Sequence, residues 1–208
     1  MLVIGLTGGI ASGKSTLSSI LQQLGAHIID ADAVAHEVVR PGTPAHRELV
    51  EAFGRDILNP DSTINRRRLG RLVFSDREAL HRLNNITHPR VISAIAGELD
   101  ALRRQGTGVV VVDAPLLIEA GMTGLVDEVW VVAVDESTQL ERLMSRDRYS
   151  FREAMNRLGA QLPLREKVRH AHRVINNSGT VEETRRQVEV IWEKLRLGEN
   201  SRPRQEEI

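Results

Sequence analysis

The sequence GLTGGIASGKST, residues 5–16, decides how the rest of this chain is interpreted. Gly8, Gly13, Lys14 and Ser15 fit the pattern G-x-x-x-x-G-K-[ST]. Glycines let backbone N–H groups approach phosphate oxygens closely, and a helix that follows directs its positive N-terminus at the same oxygens. Only three of the 28 basic residues are lysines. Lysine is a compact charge on a long stem, whereas the arginine fork is planar and bulkier. The segment therefore predicts a loop that binds the phosphates of a nucleotide.

The phosphate loop and an aspartate at the end of a later strand together predict an ATP and magnesium site. The predicted nucleotide-binding residues of the loop are Gly8, Gly9, Ala11, Ser12, Gly13, Lys14, Ser15 and Thr16. The stretch VVVVD, residues 109–113, has the pattern of the second phosphate-loop signature, whose acid supports Mg²⁺. Ser15 and Asp113 are thus the predicted metal residues, and water and phosphate oxygens would complete the shell that Mg²⁺ prefers.

Two further carboxylates, Asp30 and Asp32, follow the apolar pair of IIDAD, residues 28–32. In open α/β folds ligands bind at the carboxyl ends of the strands, so we expect these acids beside the phosphate loop. Asp32 would hold an attacking hydroxyl and accept its proton late, because an ordinary aspartate is too weak a base to deprotonate an alcohol beforehand. The alternative for either acid is the N-cap of the next helix.

Strand and helix patterns alternate along the chain, which predicts a three-layer α/β fold with a parallel sheet. The predicted strands are 2–6, 27–30, 109–113, 129–134 and 173–176. The predicted helices are about 14–24, 31–39, 45–53, 66–73, 76–86, 90–105, 137–147, 164–171 and 180–196. We interpret the chain as one phosphate-loop kinase domain with a core of 1–39, 106–147 and 164–196. A helical insertion at about 40–105 would bind the substrate, an arginine-bearing lid would span about 142–163 with 148–163 irregular, and 197–208 would be a polar tail.

The composition excludes several other functions. Formal net charge is zero and only 3% of residues are aromatic, so neither the field nor the stacking surfaces of a nucleic-acid-binding protein are present. The chain has no cysteine and no apolar stretch near the roughly 20 residues of a membrane helix. We expect a cytoplasmic protein without a membrane partner, acting as a monomer or weak homo-oligomer. A switch GTPase is disfavoured, since an N-K-x-D motif is absent.

The order and spacing of six segments resemble the dephospho-CoA kinase family over residues 2–196. These segments are GLTGGIASGKS, IIDAD, THP, VVDAPLLIE, RLMSRD and VINNSG. The resemblance implies transfer of the γ-phosphate of ATP to the 3′-hydroxyl of the ribose of dephospho-CoA. It also implies roles for individual residues: Asp32 meets that hydroxyl, Arg66 and His88 bind the substrate, Arg142 and Arg146 act from the lid near the transferred phosphate, and Asn177 lies near the adenine ring. The alternative is another small-metabolite or nucleotide kinase.

Two positions depart from the family pattern, and two assignments keep alternatives. Ala11 stands where the family usually has glycine, and alanine tolerates positive φ poorly. His172 stands where the family commonly has aspartate, and its partner is not evident from the sequence. His88 could merely close a loop before Pro89. Arg142 and Arg146 could form a solvated helix face paired with Glu141 or Asp147.

Overall fold

Five strands form the predicted parallel sheet. The computed structural model describes residues 1–159 and 161–197; the predicted tail beyond 197 and residue 160 of the predicted lid lie outside the described residues. The strands are β1 (Leu2–Gly8), β2 (His27–Asp30), β3 (Val109–Asp113), β4 (Glu128–Ala133) and β5 (Arg173–Asn176), in the order β2-β3-β1-β4-β5. Parallel registers join β1 to β3, β1 to β4 and β4 to β5. The α/β prediction is therefore confirmed.

The chain divides into two compact units. The first comprises residues 1–28 and the chain from 106 onward, and the second comprises residues 29–105. Helices of the first unit are α1 (Lys14–Gln23), α6 (Glu136–Asp147), α7 (Phe151–Gly159), α8 (Leu164–Arg169) and α9 (Val181–Arg196). Helices of the second unit are α2 (Ala31–Val38), α3 (Pro44–Phe53), α4 (Arg66–Ser75) and α5 (Arg77–Arg104). Short 3-10 turns lie at Arg55–Ile57 and Met122–Leu125.

The core of the first unit follows from strands that are apolar on both faces. Ile4 and Leu6 of β1 join one buried cluster with residues of α1 and α9, while the intervening Gly5 faces Leu117. Successive strand residues point to opposite faces, so an uninterrupted apolar run is what a sheet covered on both sides requires. Trp130 is fully buried in this cluster, and its indole N–H donates to Glu128.

The second unit is a helical cluster around Leu49, Ile57, Leu69 and Val73. The sequence placed the second helix in the core at 1–39, but α2 belongs to this unit and packs against α5. A four-residue strand followed directly by a helix does not indicate which unit α2 joins. That depends on the surface against which α2 packs.

A helix break before Pro89 is a wrong prediction, because α5 runs without interruption from Arg77 to Arg104. Proline removes one backbone donor and costs roughly 3 kcal/mol inside a helix. The helix nevertheless continues, since Val91, Ile95 and Leu99 bury one face beyond the proline. His88 therefore lies inside a helix, and the interpretation that it closes a loop is also wrong.

The prediction that 148–163 is irregular is wrong, because α7 occupies Phe151–Gly159 within this stretch. Ala154 is fully buried on one face of this short amphipathic helix. The apolar positions at 151, 154, 155 and 158 have helical spacing, and the arginines among them obscured that pattern. Along the described residues, no helix combines the length and apolar character that crossing a membrane would require.

Candidate active site

The phosphate loop connects β1 to α1 and has the conformation that its glycines predict. Gly13 immediately precedes α1 and has a φ of 82°. Because glycine has no side chain, no side-chain hydrogen bond caps the N–H groups in the first turn of α1. Ala11 is also left-handed, with φ of 58°. A helix N-terminus with free N–H groups favours bound anions. The loop therefore has the backbone geometry that would favour a bound anion.

Lys14, the first residue of α1, contacts Asp113, the last residue of β3. The Lys14 ammonium forms an ion pair with the Asp113 carboxylate, and both side chains are mostly buried. The register of β1 and β3 sets Asp113 opposite Leu6, directly before the loop. The structure thereby brings together two of the residues that the sequence singled out for phosphate and metal binding.

Hydrogen-bonded groups hold the segment after Asp113. The carbonyl of Pro115 accepts hydrogen bonds from the Thr7 hydroxyl and the Lys167 ammonium, each at 3.0 Å. Lys167 is fully buried and also pairs with Glu119 at 2.7 Å. Sequence reasoning missed Lys167, although its rarity as one of only three lysines in the chain was a usable signal.

The side chain of Asn177 is hydrogen-bonded to the phosphate loop. Its Nδ2 donates to the Ser12 carbonyl at 2.7 Å, and its Oδ1 accepts from the Thr184 hydroxyl at 2.7 Å. The carbonyl partner fixes which end of the amide faces the loop. A Cβ on Gly13 would lie 2.1 Å from Nδ2, so Gly13 is required for this contact as well as for its positive φ. Asn177 therefore holds the loop through the Ser12 carbonyl. Thr184, which the sequence analysis did not identify, donates the hydrogen bond that orients the Asn177 amide.

The two arginines of α6 have different surroundings. Arg142 is half-buried, and its Nη1 would lie 3.8 Å from a Cβ placed on Gly13. Arg146 is exposed and makes a two-point contact with Asp147 at 2.8–3.0 Å. Hydrogen bonding to that carboxylate raises the pKa of Arg146. Arg142 is next to the phosphate loop, whereas Arg146 makes the local pair that the alternative interpretation proposed.

The second unit contains the predicted acceptor-side residues. Asp30 caps α2 by accepting from the backbone N–H groups of Asp32 and Ala33, which settles which of the two acids is the cap. Asp32 is exposed in the first turn of α2. Burial lowers the pKa of Arg66, and the charge of Asp32 partly offsets this shift. Burial likewise lowers the pKa of His88. Asp32, Arg66 and His88 lie on α2, α4 and α5, and both α2 and α4 pack against α5.

Two side chains near the phosphate loop carry oxygen atoms that could bind a magnesium ion. Ser15 offers an exposed hydroxyl and Asp113 a carboxylate. In residues 1–159 and 161–197 no group of three or more His, Cys, Asp or Glu side chains could hold a metal by itself. Mg²⁺ keeps several waters and binds substrate phosphates, so Ser15 and Asp113 are residues that could hold it.

A family model described as dephospho-CoA kinase matches residues 2–183 of the chain. The chain belongs to the dephospho-CoA kinase family. The dephospho-CoA kinase of Geobacter metallireducens is 54% identical over 202 residues, which cover 97% of this chain and 100% of that protein. The dephospho-CoA kinase of Carboxydothermus hydrogenoformans is 52% identical over 192 residues, covering 92% of this chain and 93% of that protein.

Solved structures agree with this assignment. A dephospho-CoA kinase from Campylobacter jejuni has a TM-score of 0.72 at 29% identity, covering 95% of this chain and 98% of that one. A shikimate kinase from Acinetobacter baumannii has a TM-score of 0.54 at 14% identity, covering 97% of this chain and 96% of that one. The second likeness is one of fold alone, and it shows that the phosphate-loop kinase architecture is shared.

The structure shows the conformation or contacts of both positions that depart from the dephospho-CoA kinase pattern. Ala11 occupies the left-handed region where glycine carries no steric penalty. The ring of His172 accepts a hydrogen bond from the Val129 N–H through Nδ1 at 3.0 Å, while the backbone N–H of His172 donates to the Val129 carbonyl at 2.8 Å. An aspartate at this position could accept the same N–H. His172 therefore fastens the start of β4 and lies outside the phosphate loop.

Proposed function

We propose that the chain transfers the γ-phosphoryl group of ATP to the 3′-hydroxyl of the ribose of dephospho-CoA. The observation that carries this proposal is the phosphate loop, with its left-handed Ala11 and Gly13 and its uncapped helix N-terminus, in a chain of this family. Such a loop binds the phosphates of a nucleotide through backbone N–H groups.

The nucleotide side of the reaction is assigned to the first unit. Backbone groups of residues 8–9 and 11–16 would hold the phosphates of ATP, and the Lys14 ammonium would leave Asp113 for the β- and γ-phosphates. Ser15 and Asp113 would hold Mg²⁺, which supplies positive charge to the developing phosphate oxygens. Arg142, beside Gly13, would add charge stabilisation. Asn177 would position the loop, and Arg146 would act only after leaving Asp147.

The acceptor side is assigned to the second unit. Asp32 would orient the 3′-hydroxyl and accept its proton as the bond to phosphorus forms. Arg66, whose charge interacts with Asp32, would bind an anionic part of the acceptor. His88 has a pKa lowered by burial, so it would contact the acceptor as a neutral imidazole at neutral pH. Closure of the segment 142–163 would exclude water and limit hydrolysis of ATP.

The setting of the reaction is also a proposal. We assign the enzyme to the cytoplasm, where ATP and metabolic acceptors meet, and we assign it no nucleic-acid partner because its formal net charge is zero. We expect a monomer or weak homo-oligomer.

The deciding experiment measures ADP production by the purified protein with dephospho-CoA, adenosine, AMP or shikimate as acceptor. We expect turnover on dephospho-CoA alone. Asp32→Asn should lower kcat by about 100-fold or more, because the proton acceptor is lost, while ATP still binds. Asp30→Asn is the matched control, since asparagine caps a helix as well as aspartate and should leave activity nearly unchanged.

Two outcomes would change this proposal. Turnover on another acceptor alone would favour the alternative, a different small-metabolite or nucleotide kinase, and leave the phosphate loop assignment standing. Equal losses in Asp30→Asn and Asp32→Asn would mean that charge in this turn matters in general, and that Asp32 has no special role.

A further inference from the structure

Both backbone polar groups of Ile10, in the middle of the phosphate loop, are bound by glutamine side chains. The Ile10 N–H donates to Oε1 of Gln161 at 2.7 Å, and the Ile10 carbonyl accepts from Nε2 of Gln139 at 2.5 Å. Gln139 lies on α6, before the arginines of the predicted lid, and Gln161 lies after α7, shortly before α8. The two ends of the segment that carries α7 are thus attached to one residue of the loop.

The contact with Gln139 also explains Gly9. A Cβ on Gly9 would lie 2.5 Å from Nε2 of Gln139, so any larger residue would displace the glutamine. Gly9 is not among the residues with positive φ, so the effect of a larger residue there would act through Gln139 and not through backbone strain. The loop backbone and Gln139 are therefore fitted to each other.

The Ile10 N–H cannot donate to a phosphate while Gln161 accepts it. The N–H groups that bind phosphate must then come from other residues of the loop, including those from Ala11 onward, where Ala11 and Gly13 turn the backbone and α1 begins. Holding Ile10 at both polar groups fixes the loop at the point where it leaves β1. A loop that is ordered before binding loses less conformational entropy when the nucleotide binds.

We propose that Gln139 and Gln161 are positioning residues that couple the α7 segment to the phosphate loop and order it for nucleotide binding. This inference rests on the proposed function only in that the loop binds ATP. Movement of the segment after α7 would withdraw Gln161 and release the Ile10 N–H. Nucleotide affinity should therefore depend on two residues that touch no phosphate.

The two glutamines have opposite hydrogen-bonding roles, and this gives a sharp test. Gln161 accepts and Gln139 donates. Glutamate at position 161 keeps an acceptor for the Ile10 N–H, whereas glutamate at position 139 sets a carboxylate against the Ile10 carbonyl. Both changes add one negative charge near the loop, so each is the electrostatic control for the other.

The experiment measures direct binding of Mg·ATP and Mg·ADP by calorimetry for Gln139→Glu, Gln161→Glu, Gln139→Met and Gln161→Met. Each methionine variant should lose about five-fold in affinity for both nucleotides, since one hydrogen bond is removed. Gln161→Glu should bind at least as tightly as Gln161→Met, and Gln139→Glu more weakly than Gln139→Met. The two glutamate variants should differ by about five-fold or more.

Kinetics and amide exchange separate positioning from a general structural role. The KM for ATP should rise with little change in kcat, because bound nucleotide is affected equally in the ground and transition states. Amide exchange of Ile10 should accelerate in Gln161→Met and stay protected in Gln161→Glu.

Equal affinities of the two glutamate variants, or Ile10 exchange that does not respond to Gln161→Met, would overturn the proposal. Nucleotide binding is measured without an acceptor, so a failure of the dephospho-CoA assignment would not affect this test.

Discussion

Replacing Ala11 by glycine should stabilise the protein, although most alanine-to-glycine changes do the reverse. Ala11 has φ of 58°, and its Cβ crowds the following carbonyl in that left-handed conformation. Glycine has no Cβ and populates this region freely. The relevant quantity is the free energy of unfolding measured without nucleotide.

The magnitude follows from two opposing contributions. A left-handed conformation costs an L-residue roughly 1–2 kcal/mol, and this cost disappears in the variant. Glycine adds conformational freedom to the unfolded chain, which offsets about 0.4–1 kcal/mol of the gain. The net stabilisation should be near 1 kcal/mol, which raises Tm by about 2–4 °C for a chain of this size.

Thermal unfolding followed by circular dichroism tests this prediction, with Ala94→Gly as the matched control. Ala94 is exposed within α5, where glycine costs about 0.5–1 kcal/mol. The two substitutions make the same chemical change and should shift Tm in opposite directions. A lower Tm for Ala11→Gly would refute the argument that backbone strain is stored in the loop.

Three further predictions concern other parts of the molecule. Lys14→Arg should lower kcat/KM by about 100-fold or more in steady-state assays, because a planar fork cannot replace the compact ammonium in the loop; near-normal activity would show that charge alone suffices. Thr184→Val should destabilise the protein by about 1–3 kcal/mol in denaturant titrations, since the buried Asn177 Oδ1 loses its donor, whereas Thr184→Ser should not. Burial lowers the pKa of His88 from 6.5, so the unfolded chain binds more protons and stability should fall as pH drops below 6.5. Tm measured from pH 8 to pH 5 should fall less steeply in His88→Gln, and an unchanged slope would contradict the assignment.

The parts of the fold that were predictable depend on local patterns. The phosphate loop follows from residue types at fixed spacing, and the buried strands follow from runs such as 109–113 that are apolar at every position. The sequence leaves open whether Asp30 belongs to the site or caps the next helix, because aspartate at the end of a strand suits either role. The structure resolves it through the two N–H groups that Asp30 binds.

The positions that could not be predicted depend on contacts between distant parts of the chain. Asn177 is 165 residues from the Ser12 carbonyl that it binds, and Gln161 is 151 residues from Ile10. A polar residue in a loop gives no local sign of such a partner. Pro89 led to a wrong prediction for the opposite reason. Proline locally disfavours the interior of a helix, but the packing of α5 beyond Pro89 outweighs that preference.

The central claim is that the phosphoryl group of ATP reaches the ribose 3′-hydroxyl of dephospho-CoA. The most direct test is a ¹H–³¹P correlation spectrum of the product formed by the purified protein from ATP and dephospho-CoA. The account predicts one new phosphomonoester that couples to the ribose H3′. Coupling to another proton, or release of inorganic phosphate with the acceptor unchanged, would contradict it.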